Sequence, residues 1–257
     1  MPSVIALKSS AELTVMRRAC QAAATALQAV AEAVRPGVTT RELDRIAEDR
    51  IRAQGAVPSF LGYRGYPASL CASVNDEVVH GIPGRRRLRE GQIISLDLGA
   101  IVEGFHGDLA VTVPVGRVSE DLQRLLDVTA ASLEEGIRAV RPGGRLGDVS
   151  AAIQRYVERH GFSVVREYAG HGVGRNLHEE PQVPNFGRAG NGVVLRPGMT
   201  LAIEPMVNAG TSEVTVDPDG WTVRTRDHKA SAHFEHTVAV TEAGAEVLTR
   251  LPQDAQV

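Results

Sequence analysis

Apolar residues recur every three or four positions from Glu12 to Ala33, at Leu13, Met16, Cys20, Ala24, Leu27 and Val30. They do so again from Leu122 to Ala139, at Leu125, Leu126, Ala130, Leu133 and Ile137, with Val140 following. This is the period of a helix that buries one face. Both runs close on the same five residues, AVRPG, at 33–37 and 139–143, where Pro-Gly is a stop signal. A second helical stretch follows each stop, over residues 39–55 and 145–161, and each ends in a glycine suited to the position just past a helix. Between the pairs of helices the period changes. QIISLDLGAIVEGFHGDLAVTVPVG, residues 92–116, is apolar and β-branched on both sides of Val102-Glu103-Gly104. It predicts a β-hairpin with a short glycine-containing turn.

The two halves echo each other further. LREGQIISLD at 88–97 and LRPGMTLAIE at 195–204 are offset by 107 residues, and the helical repeats by 106. The chain therefore reads as two copies of helix–helix–strand–strand, about 11–115 and 119–241, within a single domain spanning 1–257. Asp97 and Glu204 occupy the same place in the two copies. The expected fold class is α+β.

Composition narrows the class without naming a function. The chain has 257 residues, 43% hydrophobic and 23% charged, a globular balance that excludes a disordered tail, a collagen or a coiled coil. A net charge of −3 gives no sign of general phosphate-backbone binding. Cys20 and Cys71 fit neither a zinc spacing nor a CxxC pair, as expected of a reducing compartment. The first residues lack the basic-then-apolar pattern of a secretory leader, and no run approaches the roughly 18 apolar residues of a membrane span. A soluble cytoplasmic protein is the expectation.

Charge in unusual places supplies the candidate chemistry. Asp97 and Asp108 lie equally far from the hairpin centre, so a regular register makes them cross-strand neighbours with Cβ atoms roughly 5 Å apart. One of them could face solvent or cap a turn; alternatively a cation lies between them. His171 and His178 sit on the glycine-rich stretch EYAGHGVGRNLHEEP, Glu204 at the end of an apolar strand before Pro205, and Glu235 inside another. Singly, each could be a solvated histidine or an edge carboxylate. Together, Asp97, Asp108, His171, Glu204 and Glu235 carry too much negative charge for one dry pocket without metal. Oxygen-rich ligation with one nitrogen suits a pair of divalent first-row ions. His80 could serve the core, a turn or catalysis. Tyr63, Tyr66 and Cys71 cluster as loop packing or as a pocket wall. GRRRLR at 84–89 reads as a solvated loop, and the glycines do not follow phosphate-site spacing.

NDEVVHGIP, the DLGA…FHGD pair, GHGVGRNLHEEPQVPNF, LRPGMTLAIEPMV, DGWTV and FEHTVAV, in that order between about Ala11 and Leu251, resemble the type I methionine aminopeptidases. The resemblance implies a pseudo-twofold, duplicated "pita-bread" fold: an antiparallel-rich curved sheet with helices on its outer face and two divalent metal ions (Fe, Mn, Co or Zn) between the halves. It implies that Asp97 chelates one ion, that Asp108 and Glu235 bridge both, and that His171 and Glu204 hold the second. His80, His178 and Glu204 take catalytic roles. Tyr63, Tyr66, Cys71, Leu177 and Trp221 form the substrate pocket with the two non-ligand histidines, and a monovalent ion sits near Asn75 and Ser231. Leu177 stands where many relatives have Phe, and Phe60 where some have Cys, so the pocket's shape departs from the common pattern. Only 26 residues separate His178 from Glu204, too few for the insertion of the type II branch. The implied activity is removal of the initiator methionine from nascent polypeptides with a small second residue. The implied agent is a monomer working near the ribosome, without direct contact to nucleic acid or membrane. A proline-directed aminopeptidase of the same fold is the main rival, and a non-enzymatic relative the other.

Overall fold

The computed structural model describes residues 5–251; the outermost residues of the expected 1–257 domain lie outside the described residues. Four helices appear where the apolar period places them: α1 (Ser10–Glu32), α2 (Thr40–Ala53), α3 (Glu120–Ala139) and α4 (Leu146–Arg159). Their starts are set by local chemistry. Ser9 with Glu12, and Thr39 with Glu42, form reciprocal capping boxes that satisfy otherwise orphaned N–H groups. Ser119 caps α3, and the Asp148 carboxylate accepts from the Arg145 N–H ahead of α4.

Both helix pairs are tied to the strand that follows by the same backbone hydrogen bonds. In the first half Gly37 N–H donates to Leu88, Leu88 to Val38, and Thr40 to Arg86. In the second half Gly143 donates to Leu195, Leu195 to Gly144, and Leu146 to Val193. Leu88 and Leu195 are both buried at these junctions.

A nine-stranded antiparallel sheet joins the halves. Along its main path Val57–Pro58 pairs with Ile93–Val102, and that strand with Phe105–Pro114. Glu235–Thr241 comes next, then Thr200–Ile203, Gly170–Gly172 and Glu179–Val183. Leu70–Val74 pairs on the Ile93–Val102 strand, and Gly244–Val247 on Glu235–Thr241. The pairing of Phe105–Pro114 with Glu235–Thr241 is the seam between the halves. On either side lies a separate core. One joins Leu27, Val30 and Leu43 to Leu96 and Leu98. The other joins Leu133, Ile137 and Ile153 to Leu201, Ile203 and Val238.

The hairpin forms with a different register from the expected one. Val102 pairs with Phe105, leaving a two-residue turn of Glu103 (φ 49°) and Gly104 (φ 77°). Two successive positive φ values match the twist of the strands, as in a type I′ turn. The hairpin centre thus moves one residue along: Asp97 faces Ala110, and Asp108 faces Gly99. The two aspartates are diagonal neighbours on one face, a separation of roughly 7–8 Å rather than a direct pair.

Gly107 shows which face is which. A Cβ there would lie 2.5 Å from the backbone N of Cys20 and 2.7 Å from the carbonyl carbon of Ala19, so α1 rests directly on this strand. Asp108, the next residue, therefore points to the opposite face. Gly107→Ala is expected to force α1 off the hairpin and cost about 1–3 kcal/mol or more, read as a lowered urea midpoint with unchanged helical circular dichroism at zero denaturant.

Candidate metal centre and substrate slot

The register aligns Cys71, Asp97, Ala110 and Glu235 in one row across four strands. Residues directly opposite share a face, and Asp108, two before Ala110, shares it too. From the other half, His171 lies on Gly170–Gly172 opposite Ala202, and Glu204 directly follows the neighbouring strand Thr200–Ile203. Glycine on both sides of His171 allows close approach. A Cβ on Gly170 would sit 2.3 Å from the Ala202 carbonyl oxygen, and one on Gly172 2.2 Å from that of Glu180.

All twelve residues singled out as ligands, catalytic groups or pocket wall line one cleft. Asp108, His171 and Glu235 bring ligand atoms within 4.8 Å of one another; Asp97 and Glu204 line the same cleft just outside that tight group. His171 Nε2 lies 3.5 Å from Glu204 Oε1 and 3.8 Å from Asp108 Oδ2. Its Nδ1 is 2.9 Å from the Gly172 carbonyl oxygen, which can only accept. The proton therefore belongs on Nδ1, and a bare Nε2 faces the carboxylates, the arrangement of a ligating imidazole. Oδ1 of Asp97, Oδ1 of Asp108 and Oε1 of Glu235 are buried with no hydrogen-bond partner. Three orphaned carboxylate oxygens and an imidazole lone pair converging on one volume are what divalent cations satisfy, so the donor set fits the metal centre.

Protonation without metal reports the same tension. Burial, then the Asp108 charge, holds Asp97 well above the usual carboxylate range. Burial pushes Asp108 up to about 7. Glu204 and Glu235 are raised by burial first and by Asp108 next. His171 is lowered to about 3 by burial, with His178 adding to the shift.

The two non-ligand histidines flank this centre. The ring of His178 lies 4.1 Å from that of His171 and stacks on Tyr63 at 5.4 Å. Tyr63 Oη is 2.9 Å from His178 Nδ1; a phenol donating there leaves the N–H on Nε2. His80 adopts φ 61°, and burial followed by the His178 charge lowers it to about 4, so it is a neutral donor or acceptor at pH 7. Its ring meets Trp221 edge-on at 6.5 Å.

Beyond the histidines the wall is apolar. Tyr66 and Trp221 pack edge to face at 5.1 Å, with Cys71, Leu177 and Phe60 buried beside them. The Tyr66 hydroxyl is shared between the carbonyls of Leu70 and Gly81, so only its ring faces the slot. Burial, then the Asp97 charge, keeps the Cys71 thiol protonated. The free volume is about 140 Å³, well below the ~300–1,000 Å³ of sites for drug-sized ligands. It admits a single side chain.

Asn75 and Ser231 lie outside the cleft lining and are joined by a hydrogen bond from Ser231 N–H to the Asn75 carbonyl. Two residues at the site escaped the sequence reading. Arg64, in the left-handed region at φ 50°, lines the cleft over the Tyr63 ring. His233 is 1% exposed, with Nε2 3.5 Å from Glu204 Oε2. Its place two residues before Glu235 does not by itself separate a site histidine from one that packs, and the two residues end and begin different strands, Ser231–His233 and Glu235–Thr241.

The raised carboxyls give the metal-free protein a distinctive pH dependence. Unfolded carboxyls release their protons near pH 4, whereas the folded site retains them to about pH 7 at Asp108. Below about pH 6.5 the buried histidines act the other way, since His80, lowered to about 4, and His171, lowered to about 3, stay neutral while unfolded imidazoles charge. Above about pH 7 histidines are neutral in both states and the folded carboxyls hold the extra protons, so stability falls as pH rises. Calorimetry with chelator is expected to give a lower Tm at about pH 8.5 than at about pH 7, and added divalent metal should raise Tm more at the higher pH.

A model of metallopeptidase family M24 matches residues 14–242. The chain is 53% identical over 248 residues to methionine aminopeptidase 1 of Bacillus subtilis, covering 96% of this chain and 100% of that protein. The crystal structure of methionine aminopeptidase from Thermotoga maritima superposes with a TM-score of 0.95 at 48% identity, over 96% of this chain and 100% of that one. Prolidase from Pyrococcus furiosus shares the fold, with a TM-score of 0.77 at 23% identity. It is matched over 95% of this chain but 65% of its own.

Proposed function

The chain belongs to metallopeptidase family M24, with the pita-bread fold and the methionine aminopeptidases as its near relatives, and we propose that it removes the N-terminal methionine of polypeptides whose second residue is small. The observation that carries this reading is the junction of two environments. Unpartnered carboxylate oxygens converge with a bare imidazole nitrogen directly beside an apolar slot for one side chain.

Asp97, Asp108, His171, Glu204 and Glu235 would hold two divalent ions, with Asp108 and Glu235 bridging. When bound, the ions supply Lewis acidity and a water made nucleophilic near neutral pH. Glu204 would accept a proton from the attacking water and return it to the leaving amine. His178, through Nε2–H, and His80 donate to the developing oxyanion and the scissile amide. Tyr63, Tyr66, Cys71, Leu177 and Trp221 take the methionine side chain, whose thioether suits aromatic edges and a thiol. The donor set accepts Fe, Mn, Co or Zn alike.

The wider reading is of one catalytic domain made of two repeats, monomeric and cytoplasmic. It would act on nascent chains near the ribosome, with a monovalent ion near Asn75 and Ser231. No helix among the described residues is long and apolar enough to cross a membrane.

Release of methionine from Met-X-Ser tripeptides tests the activity. Efficient cleavage is expected for X = Gly, Ala or Ser, with little for X = Lys, Glu or Trp and none of Ala-Pro dipeptides. An apolar slot separates Met from Leu at the first position by only about 1–3 kcal/mol, so slow release of Leu is compatible. Preferred cleavage of Ala-Pro would instead establish the proline-directed reading.

Asp108→Ala and Glu235→Ala should each lose both turnover and metal, because either change leaves two ions under-coordinated. Elemental analysis after dialysis, beside the tripeptide assay, reads both. Two retained equivalents with near-normal turnover would exclude the bridging roles.

A further inference from the structure

Glu204 is held by its backbone from one side and confronted by two imidazoles from the others. Asn185, fully buried, donates from Nδ2 to the Glu204 carbonyl at 2.9 Å. Its carboxylate oxygens diverge: Oε1 faces His171 Nε2 and Oε2 faces His233 Nε2, each at 3.5 Å. The two rings are not equivalent. His171 has committed its Nδ1 proton to a carbonyl, so its Nε2 is a lone pair. His233 has made no commitment: both its ring nitrogens are buried and neither has a hydrogen-bond partner.

His233 is also fixed in place. It ends the strand Ser231–His233, opposite Met206, two residues beyond Glu204. Its N–H donates to Thr112 Oγ1 at 2.8 Å, and the same hydroxyl lies 2.8 Å from its carbonyl oxygen. The buried ring is anchored by its backbone, and its Nε2 lies 3.5 Å from Glu204 Oε2, with the His80 imidazole the other titratable group acting on it. A neutral imidazole offers one donor and one acceptor. With Glu204 ionised, as it would be when holding metal, only the tautomer with hydrogen on Nε2 pairs with that oxygen; the other sets two lone pairs against each other.

We propose that His233 is a positioning residue for Glu204: its Nε2–H donates to Oε2, holding that oxygen and leaving Oε1 turned to the metal side of the cleft. The inference rests on the function proposed above and specifies how the proposed proton carrier is oriented. Partners of this kind are worth roughly 10–100-fold in metal affinity or activity.

The test compares His233→Leu and His233→Gln with the wild type, using Mn²⁺ alone in calorimetry and Met-Ala-Ser in turnover. The Gln amide can supply the lost N–H; Leu fills the space without it. His233→Leu is expected to weaken Mn²⁺ binding or lower kcat by 10–100-fold, with KM within about twofold, and His233→Gln to stay within about threefold of wild type. Equal Mn²⁺ affinity and kcat in the Leu variant would overturn the proposal, as would a Gln variant as impaired as Leu. Should the Leu variant fail to fold, long-range ¹H–¹⁵N correlation on the wild type decides. An Nε2–H resonance for His233 supports the role, and an Nδ1–H resonance refutes it. Wild-type protein that releases no methionine would instead overturn the parent reading, whatever the tautomer.

Discussion

Mutual repulsion among four buried carboxylates is the condition that the rest of this molecule is arranged around. Asp97, Asp108, Glu204 and Glu235 each sit where a lone carboxylate would be costly, and the Asp108 charge raises the proton affinity of the other three. Such a cluster survives only if the scaffold holds it against relaxation, and the sheet does this by register. Ladder pairing on both sides of the seam places Asp97, Ala110 and Glu235 in one row, while α1, packed without clearance on Gly107, closes the other face. Neither half could hold the cluster alone, since Asp97 and Asp108 come from one repeat and Glu204 and Glu235 from the other.

The apolar slot follows from the same arrangement. Apart from Cys71, which the ladder supplies, its wall is drawn from loops: Tyr63 begins a short 3₁₀ turn and Tyr66 follows it, Leu177 and His178 follow the Gly170–Gly172 strand, and Trp221 precedes Val223–Thr225. Aromatic rings that exchange their polar tips for local partners, as Tyr66 does with two carbonyls, leave only carbon facing the cavity. Charge lies at one end and hydrocarbon at the other, within a space of a single side chain. That contrast restricts both the chemistry and what may be bound beside it.

Much of this was legible in the residues. The helices start within two positions of expectation because their apolar period and capping residues act locally. The candidate ligands stood out because carboxylates inside apolar strands need an explanation whatever the fold. The hairpin register was misplaced because the pattern shows where a turn falls but not which residues take positive φ. Glu103 does so beside Gly104, shifting the centre by one residue and converting a direct aspartate pair into a diagonal one. Arg64 and His233 were not legible, since nothing local distinguishes a histidine two residues before a ligand from one that merely packs. That distinction exists only once Glu204, brought from another strand, is in front of it.

The order in which the strands occur along the chain has a consequence for how the molecule comes into being. Synthesis proceeds from the N-terminus, and the Asp97–Asp108 hairpin with α1 and α2 is complete when less than half of the polypeptide exists. Its partner in the sheet, Glu235–Thr241, is among the last segments made. Until it inserts, the Phe105–Pro114 edge is unpaired, with Asp108 on it, Asp97 on the strand beside it and no third carboxylate to share a cation. A growing chain therefore passes through a stage with an open sheet edge whose own acidic residues, unneutralised, disfavour pairing with another copy of itself. Repulsion that metal quenches in the finished protein thus discourages premature self-association during its birth.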